Sequence, residues 1–300
     1  MERFSVVIAT RNRSRLVGRA ISSAAAEGIA KPDIIVVDDA SEDGTEKVVR
    51  AEFPEVTYVR LNHCSGPGPA RMAGLRAARS RYALILDDDD NLIRGACSKI
   101  AAHIGEDTCL AQKPVLFFSG SGATMPGDFI LLRPTHLLNG MLRGDFVPVI
   151  NVAAFLEASY EYPKIRVGGE GLLWLQIAED AGIPAWSTTV TQVNGDAPNR
   201  LTSVKNQINR AREYAELQDL YLTQHSDLLR RWAPEELRIR RLGSAVYWLL
   251  AGDRKSARQR GRSGELGALH SITIIALSIA PIPFVRIAFS AYRRTTARAH

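Results

Sequence analysis

The stretch Tyr82-Ala-Leu-Ile-Leu-Asp-Asp-Asp-Asp90 joins a short apolar run directly to four consecutive carboxylates. The apolar half is typical of a strand that is buried on both faces of a sheet. Four adjacent carboxylates repel one another, and a divalent cation that prefers oxygen ligands, such as Mg²⁺ or Mn²⁺, would remove that cost. A solvated acidic turn or a helix N-terminus also accommodates carboxylates. By itself, the acidic run 87–90 leaves both interpretations open.

Three earlier segments share the buried-strand character of residues 82–86, and they are residues 4–9, 33–38 and 56–60. Helices are predicted between the strands, at residues 14–26, 45–53 and 70–79. This alternation predicts βαβ units and a parallel sheet, and therefore an α/β fold. Further strands are predicted at 116–118 and 129–132, and further helices at 168–181, 207–232 and 237–250.

Polar side chains follow three of the four predicted strands, at residues 10–13, at Asp38 and Asp39, and at the acidic run. In parallel sheets, ligands bind at the carboxyl ends of the strands. A structural turn requires glycine, proline or asparagine, and it has no need of carboxylates at two separate strand ends. This placement favours a metal site over an acidic turn.

Four short motifs occur in a specific order: Val7-Ile-Ala-Thr-Arg-Asn-Arg13, Ile35-Val-Val-Asp-Asp-Ala-Ser-Glu-Asp-Gly-Thr45, Gly68-Pro-Ala-Arg-Met-Ala-Gly-Leu75 and Leu84-Ile-Leu-Asp-Asp-Asp-Asp90. Together they resemble the family 2 glycosyltransferases, which have the GT-A fold and serve bacterial polysaccharide and glycan assembly. The resemblance covers the first third of the chain closely and continues faintly to about residue 201. It implies a Rossmann-like, mostly parallel sheet flanked by helices, followed here by a C-terminal helical appendage.

The resemblance implies that a nucleotide-sugar donor is bound by residues of four loops: Thr10, Asn12, Arg13, Asp38, Asp39, Arg71, Asp87 and Asp88. Asp39 lies where the family accepts a hydrogen bond from the uracil ring N–H, so we expect a UDP-linked donor. For its neighbour Asp38, bracing of the loop is the alternative. Arg71 lies where a cation meets the diphosphate; an arginine on the helix surface is the alternative.

The same resemblance assigns the metal and the catalytic base. Asp87 and Asp89 form the family's Asp-x-Asp motif, and Asp89 is the expected ligand of Mn²⁺ or Mg²⁺. The family's later Glu-Asp pair, whose aspartate is commonly the general base, is replaced here by Glu170-Gly171. Glu170 is therefore the predicted base, with a carboxylate favoured by a helix N-terminus as the alternative role. Asp145 is a weaker substitute. The family's usual Arg-Asn is also changed, to Arg71-Met72.

Charge and hydropathy set the C-terminal part of the chain apart. The net charge is +6, and residues 231–300 carry 13 basic and only 4 acidic residues. Residues 266–285 contain no Asp, Glu, Lys or Arg, and twenty residues could just span a bilayer, although His270, Pro281 and Pro283 weaken that interpretation. Basic residues flank the stretch on both sides: Arg254, Lys255, Arg258, Arg260, Arg262, Arg286, Arg293 and Arg294.

These patterns predict a catalytic domain at 1–200 and a helical region at 201–300. The catalytic domain divides into a nucleotide-sugar-binding half, 1–108, and an acceptor-binding half, 109–200. The segment near 254–294 is predicted to lie on an anionic membrane surface. Helices packed on the catalytic domain, with a solvated basic face, are the alternative.

Other features bound the setting and the partners. Cys64, Cys97 and Cys109 show no paired spacing and are predicted to be free thiols, and the N-terminus shows no signal-peptide pattern. We therefore expect a cytoplasmic protein at the inner face of the cell membrane. Nucleic acid is not an expected partner, because the basic tail lacks interleaved aromatic residues. The oligomeric state is left open.

The expected activity is metal-dependent, inverting transfer of a sugar to a hydroxyl of a glycan or a lipid-linked glycan. Two alternative functions compete with it. The first is a non-catalytic membrane scaffold that binds nucleotide sugar or glycan, which Gly171 supports. The second is a nucleotidyltransferase, which is disfavoured because residues 10–13 lack the glycines of such a loop.

Overall fold

The computed structural model describes residues 3–106, 108–196, 203–262 and 266–296. The chain divides into two compact units, Met1–Ala197 and Pro198–His300. The first unit is an α/β structure and the second is helical.

The first unit is organised around one sheet of nine strands. The strands are β1 (Phe4–Thr10), β2 (Ile34–Asp38), β3 (Thr57–Arg60), β4 (Tyr82–Asp87), β5 (Asn91–Leu92), β6 (Val115–Gly120), β7 (Phe129–Leu132), β8 (Phe146–Asn151) and β9 (Ile183–Gln192). Their order in the sheet is β3-β2-β1-β4-β8-β6-β9-β5, and β7 pairs with β9.

The sheet has a parallel half and a mixed half. Strands β3, β2, β1 and β4 are parallel throughout. Strand β8 runs antiparallel to both β4 and β6, whereas β6 and β9 are parallel. The buried, uninterrupted apolar runs of β1, β2 and β4 are the pattern that parallel strands require, since helices cover both of their faces.

Eight helices flank the sheet within the described part of this unit. They are α1 (Val17–Ala26), α2 (Thr45–Glu52), α3 (Pro67–Ala77), α4 (Ala96–Glu106), α5 (Thr108–Ala111), α6 (Pro134–Leu138), α7 (Val152–Glu157) and α8 (Glu170–Asp180). Two of these helices start three residues away from their predicted positions. Helix α1 begins at Val17, with Leu16 as its N-cap, and the Ser14 backbone N–H donates to the Asp43 carboxylate. Helix α3 begins at Pro67, where the missing N–H of proline costs nothing.

Two apolar cores lie on the two faces of the sheet. Alternate residues of β1 point to opposite faces, so that Val6 and Ile8 join one core and Val7 joins the other. The first core includes Val17 and Ile21 of α1. The second includes residues of α3, α7 and α8. This α/β/α layering gives the predicted fold class, a large sheet flanked by helices.

Gly74 sets the distance between α3 and the sheet. A Cβ atom at this position would lie 2.3 Å from Val7 Cγ1 and 3.3 Å from Val37 Cγ2. Both valines are fully buried in β1 and β2 and have little freedom to move aside. The absence of a side chain therefore lets α3 approach the sheet closely.

The second unit consists of six helices among its described residues. They are α9 (Val204–Asn209), α10 (Ala211–Trp232), α11 (Pro234–Leu250), α12 (Arg254–Gly261), α13 (Ala268–Leu277) and α14 (Ile282–Thr296). The prediction of one helix over 207–232 was wrong, because the backbone of Arg210 (φ −112°, ψ 29°) leaves the helical region and separates α9 from α10. Ala215, Leu249 and Val285 contribute to its core.

Asp219 of α10 is the polar centre of this unit. Its carboxylate accepts hydrogen bonds from Trp248 Nε1 (2.9 Å), from the Ser244 hydroxyl and from Arg260 Nε (2.8 Å). These donors outweigh the effect of burial and hold the pKa of Asp219 below its usual value. The network joins α10, α11 and α12.

The uncharged stretch 266–285 does not form one continuous helix. It contributes α13 and the start of α14, which are separated by residues 278–281. In the part of the chain that the structure describes, no helix has both the length and the apolar character needed to cross a membrane.

We predict that Gly74→Ala destabilises the first unit by about 1–3 kcal/mol, because the new methyl group overpacks the contact between α3 and the sheet. Urea unfolding would measure the change. Gly105→Ala is the matched control, since Gly105 lies in α4 with nothing within 4 Å of an added Cβ. There, alanine should leave stability unchanged or raise it by up to about 1 kcal/mol. Equal effects of the two substitutions would contradict the packing role.

Candidate active site

The register of the parallel strands brings the predicted residues to one edge of the sheet. Thr10 pairs with Asp38 across β1 and β2, and Ala9 pairs with Asp87 across β1 and β4. The carboxyl ends of the three strands therefore lie side by side, as their sequence predicted.

The acidic run divides its four side chains between the interior and the surface. Asp88 turns inwards and is buried, where it accepts a hydrogen bond from the Thr10 hydroxyl (2.7 Å) and lies 3.9 Å from Arg13 Nε. Burial raises the pKa of Asp88 to about 7, against the opposing effects of Thr10 and Arg13. Asp88 thus anchors the turn, and its predicted contact with the donor stays a prediction.

The other three carboxylates converge. One oxygen each from Asp87, Asp89 and Asp90 lies within 4.8 Å of the others. Three carboxylate oxygens at this spacing fit a hard divalent cation such as Mg²⁺ or Mn²⁺. Burial, followed by the neighbouring charges of Asp87 and Asp89, raises the pKa of Asp90 to about 6. The sequence predicted Asp87 and Asp89 as ligands, and the structure adds Asp90 to the candidate set.

Two residues that the sequence did not single out hold this turn in place. The Arg19 guanidinium donates to the carbonyl oxygen of Asp89 and pairs with both carboxylate oxygens of Asp196, at 2.9 and 3.0 Å. The Asn194 backbone N–H donates to Asp90 Oδ1 (2.8 Å), and its side-chain amide donates to the Asp89 carbonyl (3.0 Å). Segments far apart in sequence therefore fix the acidic run.

The aspartates after β2 are both strongly hydrogen-bonded. Asp38 Oδ2 accepts from the Tyr58 hydroxyl (2.5 Å) and from Arg60 Nη1 (2.9 Å), while Oδ1 accepts from the Ser41 backbone N–H (2.7 Å). Asp38 is fully buried, so it braces the loop that follows it.

Asp39 faces the start of α3. Its carboxylate accepts hydrogen bonds from the backbone N–H groups of Ser65 (2.6 Å) and Gly66 (2.9 Å). Burial raises its pKa, and the two hydrogen bonds act in the opposite direction. The structure therefore places Asp39 between the β2 loop and α3. Its predicted contact with uracil stays a prediction.

Asn12 joins the loops after β1 and β2 by hydrogen bonds. The Asn12 backbone N–H donates to the Ser41 hydroxyl, and its side-chain oxygen accepts from the Glu42 backbone N–H, both at 2.8 Å. Asn12 and Ala40 have left-handed backbones, with φ of 52° and 55°. Asparagine tolerates this region, whereas alanine is strained in it, and such strain is common at functional sites.

Arg71 connects the two predicted halves of the site. Its Nη2 atom donates to Asp87 Oδ1 (2.7 Å), and its Nη1 atom forms an ion pair with Glu170 Oε1. Glu170 is the first residue of α8 and follows Gly168 and Gly169, whose φ values are 95° and 100°. The positive φ of both glycines turns the chain so that the Glu170 side chain meets Arg71.

Three further residues bear on the site: Tyr162, Met72 and Asp145. The Tyr162 hydroxyl is buried without a hydrogen-bond partner among the described residues, and Tyr162 interacts electrostatically with Arg71 and Glu170. Met72 is buried in the core under α3, which accounts for an apolar residue where the family usually has asparagine. Asp145 is exposed, and its charge contributes to the raised pKa of Asp90.

Comparison with known proteins identifies the family. The model of the family described as "Glycosyl transferase family 2" matches residues 5–159, slightly more than half of the chain. The chain belongs to this family. Members transfer glycosyl groups, and the matched region contains the acidic run, Asp38, Asp39 and Arg71.

Individual relatives are similar over part of their length. The succinoglycan biosynthesis protein ExoO of Rhizobium meliloti is 41% identical over 87 residues, which is 29% of this chain and 25% of that protein. The GalNAc(5)-diNAcBac-PP-undecaprenol beta-1,3-glucosyltransferase of Campylobacter jejuni is 28% identical over 193 residues, 60% of this chain and 61% of that protein. The chain thus spans less than two thirds of these curated relatives.

Solved structures show the same fold. TarS 1–349 of S. aureus in complex with UDP-GlcNAc superposes with a TM-score of 0.56 at 16% identity, covering 98% of this chain and 92% of that one. The mannosyltransferase PcManGT of Pyrobaculum calidifontis, in complex with GDP-Man and Mn²⁺, gives a TM-score of 0.52 at 17% identity, covering 96% and 86%. At these identities the likeness concerns the fold alone, and it confirms the GT-A architecture of this family 2 chain.

We predict that Asp38→Asn lowers stability by about 2 kcal/mol, because an amide offers a donor to Tyr58 and Arg60 where both need an acceptor. Urea unfolding would measure the loss. Glu46→Gln is the control, since Glu46 pairs with the same Arg60 (3.3 Å) at the surface. Its replacement should change stability by less than about 0.5 kcal/mol. If Asp38→Asn proves equally mild, Asp38 does not brace the loop.

Proposed function

We propose that this chain transfers a sugar from a nucleotide-diphosphate donor to an acceptor hydroxyl, with a divalent metal and with inversion at the anomeric carbon. One observation carries the proposal. The converging oxygens of Asp87, Asp89 and Asp90 lie next to Arg71, and Arg71 in turn contacts Glu170. A metal site, a cation for phosphate and a candidate base are thus adjacent at one edge of the sheet.

The donor is proposed to be a UDP-sugar bound by the loops after β1, β2 and β4. Thr10, Asn12 and Arg13 lie on the first loop, and a buried Arg13 Nη1 atom has no hydrogen-bond partner among the described residues. A buried, unpaired guanidinium N–H is suited to an anionic or carbonyl oxygen of a ligand. TarS, which shares the fold, is crystallised with UDP-GlcNAc, and the Escherichia coli relative WfaP is named as a UDP-Glc-dependent enzyme.

Asp87, Asp89 and Asp90 would hold Mn²⁺ or Mg²⁺. When bound, the metal supplies positive charge beside the diphosphate, where negative charge grows as the bond to the sugar breaks. Arg71, which pairs with Asp87 (2.7 Å), supplies a second positive charge. Fixed positive groups aimed at a leaving group stabilise the transition state without reorganisation.

Glu170 is the proposed general base. The acceptor oxygen attacks the anomeric carbon on the face opposite the diphosphate, and Glu170 takes the proton from that oxygen. The bond from the anomeric carbon to the diphosphate oxygen breaks as the new glycosidic bond forms, which inverts the configuration. Nucleoside diphosphate is the leaving group.

The acceptor is proposed to be a glycan or a lipid-linked glycan. Two relatives are named for undecaprenol-linked acceptors and two for succinoglycan biosynthesis. The second candidate function, a non-catalytic protein that binds nucleotide sugar or glycan, is favoured by one observation. Gly171 occupies the position of the family's usual aspartate, so Glu170 alone remains to accept the proton.

The second unit is proposed to place the chain on an anionic membrane surface. Exposed residues recur on one face of α13 at helical spacing: Leu269, Ile272, Thr273 and Ala276. The outward face of α14 has the same spacing: Phe284, Ile287, Ala288 and Ala291. Both helices bury the opposite face, with Ile274 and Val285 almost inaccessible. The outward faces of α13 and α14 are therefore apolar, although the opposite face of each helix already packs against the protein.

Lipid is the partner that fits these faces. Leu269, Ile272, Ile279, Phe284 and Ile287 are between 58% and 75% exposed, which a purely water-facing helix pair would avoid. The sequence has no acidic residue from 266 to 296, and arginines and a lysine flank the uncharged residues 266–285. Apolar faces bordered by basic residues suit the anionic leaflet on the cytoplasmic side of a membrane. A peripheral position there also suits a lipid-linked acceptor.

We predict that Asp89→Asn reduces sugar transfer to background and that Glu170→Gln lowers kcat by about 10²- to 10⁴-fold, the usual contribution of a general base. Both substitutions keep the size of the side chain, so circular dichroism should show an intact fold. The measurement is release of UDP from a UDP-sugar in the presence of acceptor and Mn²⁺.

Glu161→Gln is the control in the same assay and should leave kcat unchanged. An unaltered rate in Asp89→Asn would contradict the proposed metal site. An unaltered rate in Glu170→Gln would show that another residue is the base, and Asp145→Asn would then be the next variant to test. Wild-type protein that binds UDP-sugar but never turns it over would establish the non-catalytic function.

We also predict that the wild-type chain sediments with phosphatidylglycerol vesicles and less with phosphatidylcholine vesicles. The double variant Ile272→Asp/Ile287→Asp should bind at least about tenfold more weakly, since it loses two apolar side chains from the lipid. Ile239→Asp on α11 is the control, because Ile239 is equally exposed, at 61%, but lies outside these faces. Equal binding of all three proteins would contradict the assignment.

A further inference from the structure

Arg71 holds together two carboxylates that the proposed reaction uses for different substrates. Asp87, at 2.7 Å from Nη2, belongs to the donor and metal side. Glu170, paired with Nη1, belongs to the acceptor side. One guanidinium nitrogen therefore contacts a carboxylate on the donor side, from β4, and the other contacts a carboxylate on the acceptor side, from α8.

The position of Arg71 makes an anionic partner obligatory. Its side chain is only 13% exposed, and its guanidinium lies 5.8 Å from the ring centroid of Tyr162. Burial lowers the pKa of Arg71, but Glu170 and Asp87 outweigh this and hold it above its usual value. The guanidinium stays charged, and a buried charge that loses its partner is strongly destabilising. Arg71 can leave one carboxylate only when another anion replaces it.

A diphosphate is such an anion. A nucleotide sugar bound at the acidic run brings its phosphates beside Asp87, within reach of the same guanidinium. Planar guanidinium groups pair with phosphate oxygens through two parallel hydrogen bonds, which are stronger and better defined than a single contact. Donor binding therefore offers Arg71 a partner that competes directly with Glu170.

Glu170 is free to separate from Arg71. Arg71 is its one hydrogen-bonding or ion-pairing partner in the described part of the chain. The Glu170 side chain is 30% exposed and follows two glycines. While Glu170 is paired with Arg71, its Oε1 atom accepts from the guanidinium. An acceptor hydroxyl cannot donate to that oxygen from the position that the guanidinium occupies.

We propose that Arg71 holds Glu170 in the free protein and releases it when a nucleotide diphosphate binds, so that the donor prepares the base for the acceptor. This inference rests on the proposed function. Arg71 then acts as a positioning residue as well as a phosphate ligand. Donor binding thereby frees Oε1 of Glu170 for the acceptor hydroxyl.

The test is the affinity for UDP in the presence of Mn²⁺, measured by titration calorimetry. Glu170→Gln removes the competing charge at constant size, and it should tighten UDP binding about fivefold or more. Arg71→Gln should weaken binding. In the Arg71→Gln background, adding Glu170→Gln should change affinity by less than about twofold, because the competition needs the guanidinium.

Glu161→Gln is the matched control. Glu161 pairs with Arg76 of the same helix α3, at 3.0 Å, outside the site. Its replacement removes one negative charge from a similar ion pair and should leave UDP affinity unchanged. A gain in affinity confined to Glu170→Gln cannot arise from a structural defect, which weakens binding.

Two results would overturn the inference. Unchanged or weaker UDP binding by Glu170→Gln would show that Glu170 does not compete for Arg71. Equal tightening in the Arg71→Gln background would show a general charge effect. If Arg71→Gln does not fold, Arg71→Met replaces it in that comparison, since methionine is a long, flexible side chain without a charge. Wild-type protein that fails to bind UDP at all would overturn the proposed function itself.

Discussion

Repulsion among the four carboxylates of the acidic run is the constraint around which this edge of the sheet is built. The fold reduces this repulsion by pointing the four side chains in different directions and giving them different partners. Asp88 turns into the interior towards Thr10 and Arg13, and Asp87 meets Arg71 from α3. Hydrogen bonds from Asn194 to the Asp90 carboxylate and to the Asp89 carbonyl hold the rest of the turn. Elements from both halves of the sheet are required before the run can exist in one conformation.

The two units treat buried carboxylates in opposite ways. Asp219 is surrounded by donors from Ser244, Trp248 and Arg260, and its pKa is lowered. Such a carboxylate is satisfied and serves the fold. At the acidic run, burial and neighbouring charges raise the pKa values of Asp88 and Asp90 despite their hydrogen bonds. Carboxylates with raised pKa values, gathered at the ends of parallel strands, are typical of a functional site. The contrast supports function in the first unit and a scaffold role for the Asp219 network.

Sequence patterns were sufficient for the parallel half of the sheet, because short apolar runs bounded by polar residues are what buried parallel strands require. They placed β1, β2, β3 and β4 closely. The mixed half was only partly predicted, since β8 lies between β4 and β6 through pairings that no local pattern encodes. The candidate site was also only partly predicted. The strand ends and the family resemblance predicted the role of the acidic run. The contact between Arg71 and Glu170 joins residues 99 positions apart and emerged only from the structure.

The left-handed backbones of Asn12 and Ala40 carry a thermodynamic consequence for ligand binding. Because the two loops are hydrogen-bonded to each other in this conformation, the loss of their backbone entropy occurs during folding. A ligand that bound between them would order little further chain. The entropy of binding would then come mainly from the ligand and the displaced water. A substitution that altered a contact with the ligand would change the enthalpy of binding, and it would not change the entropy of loop ordering.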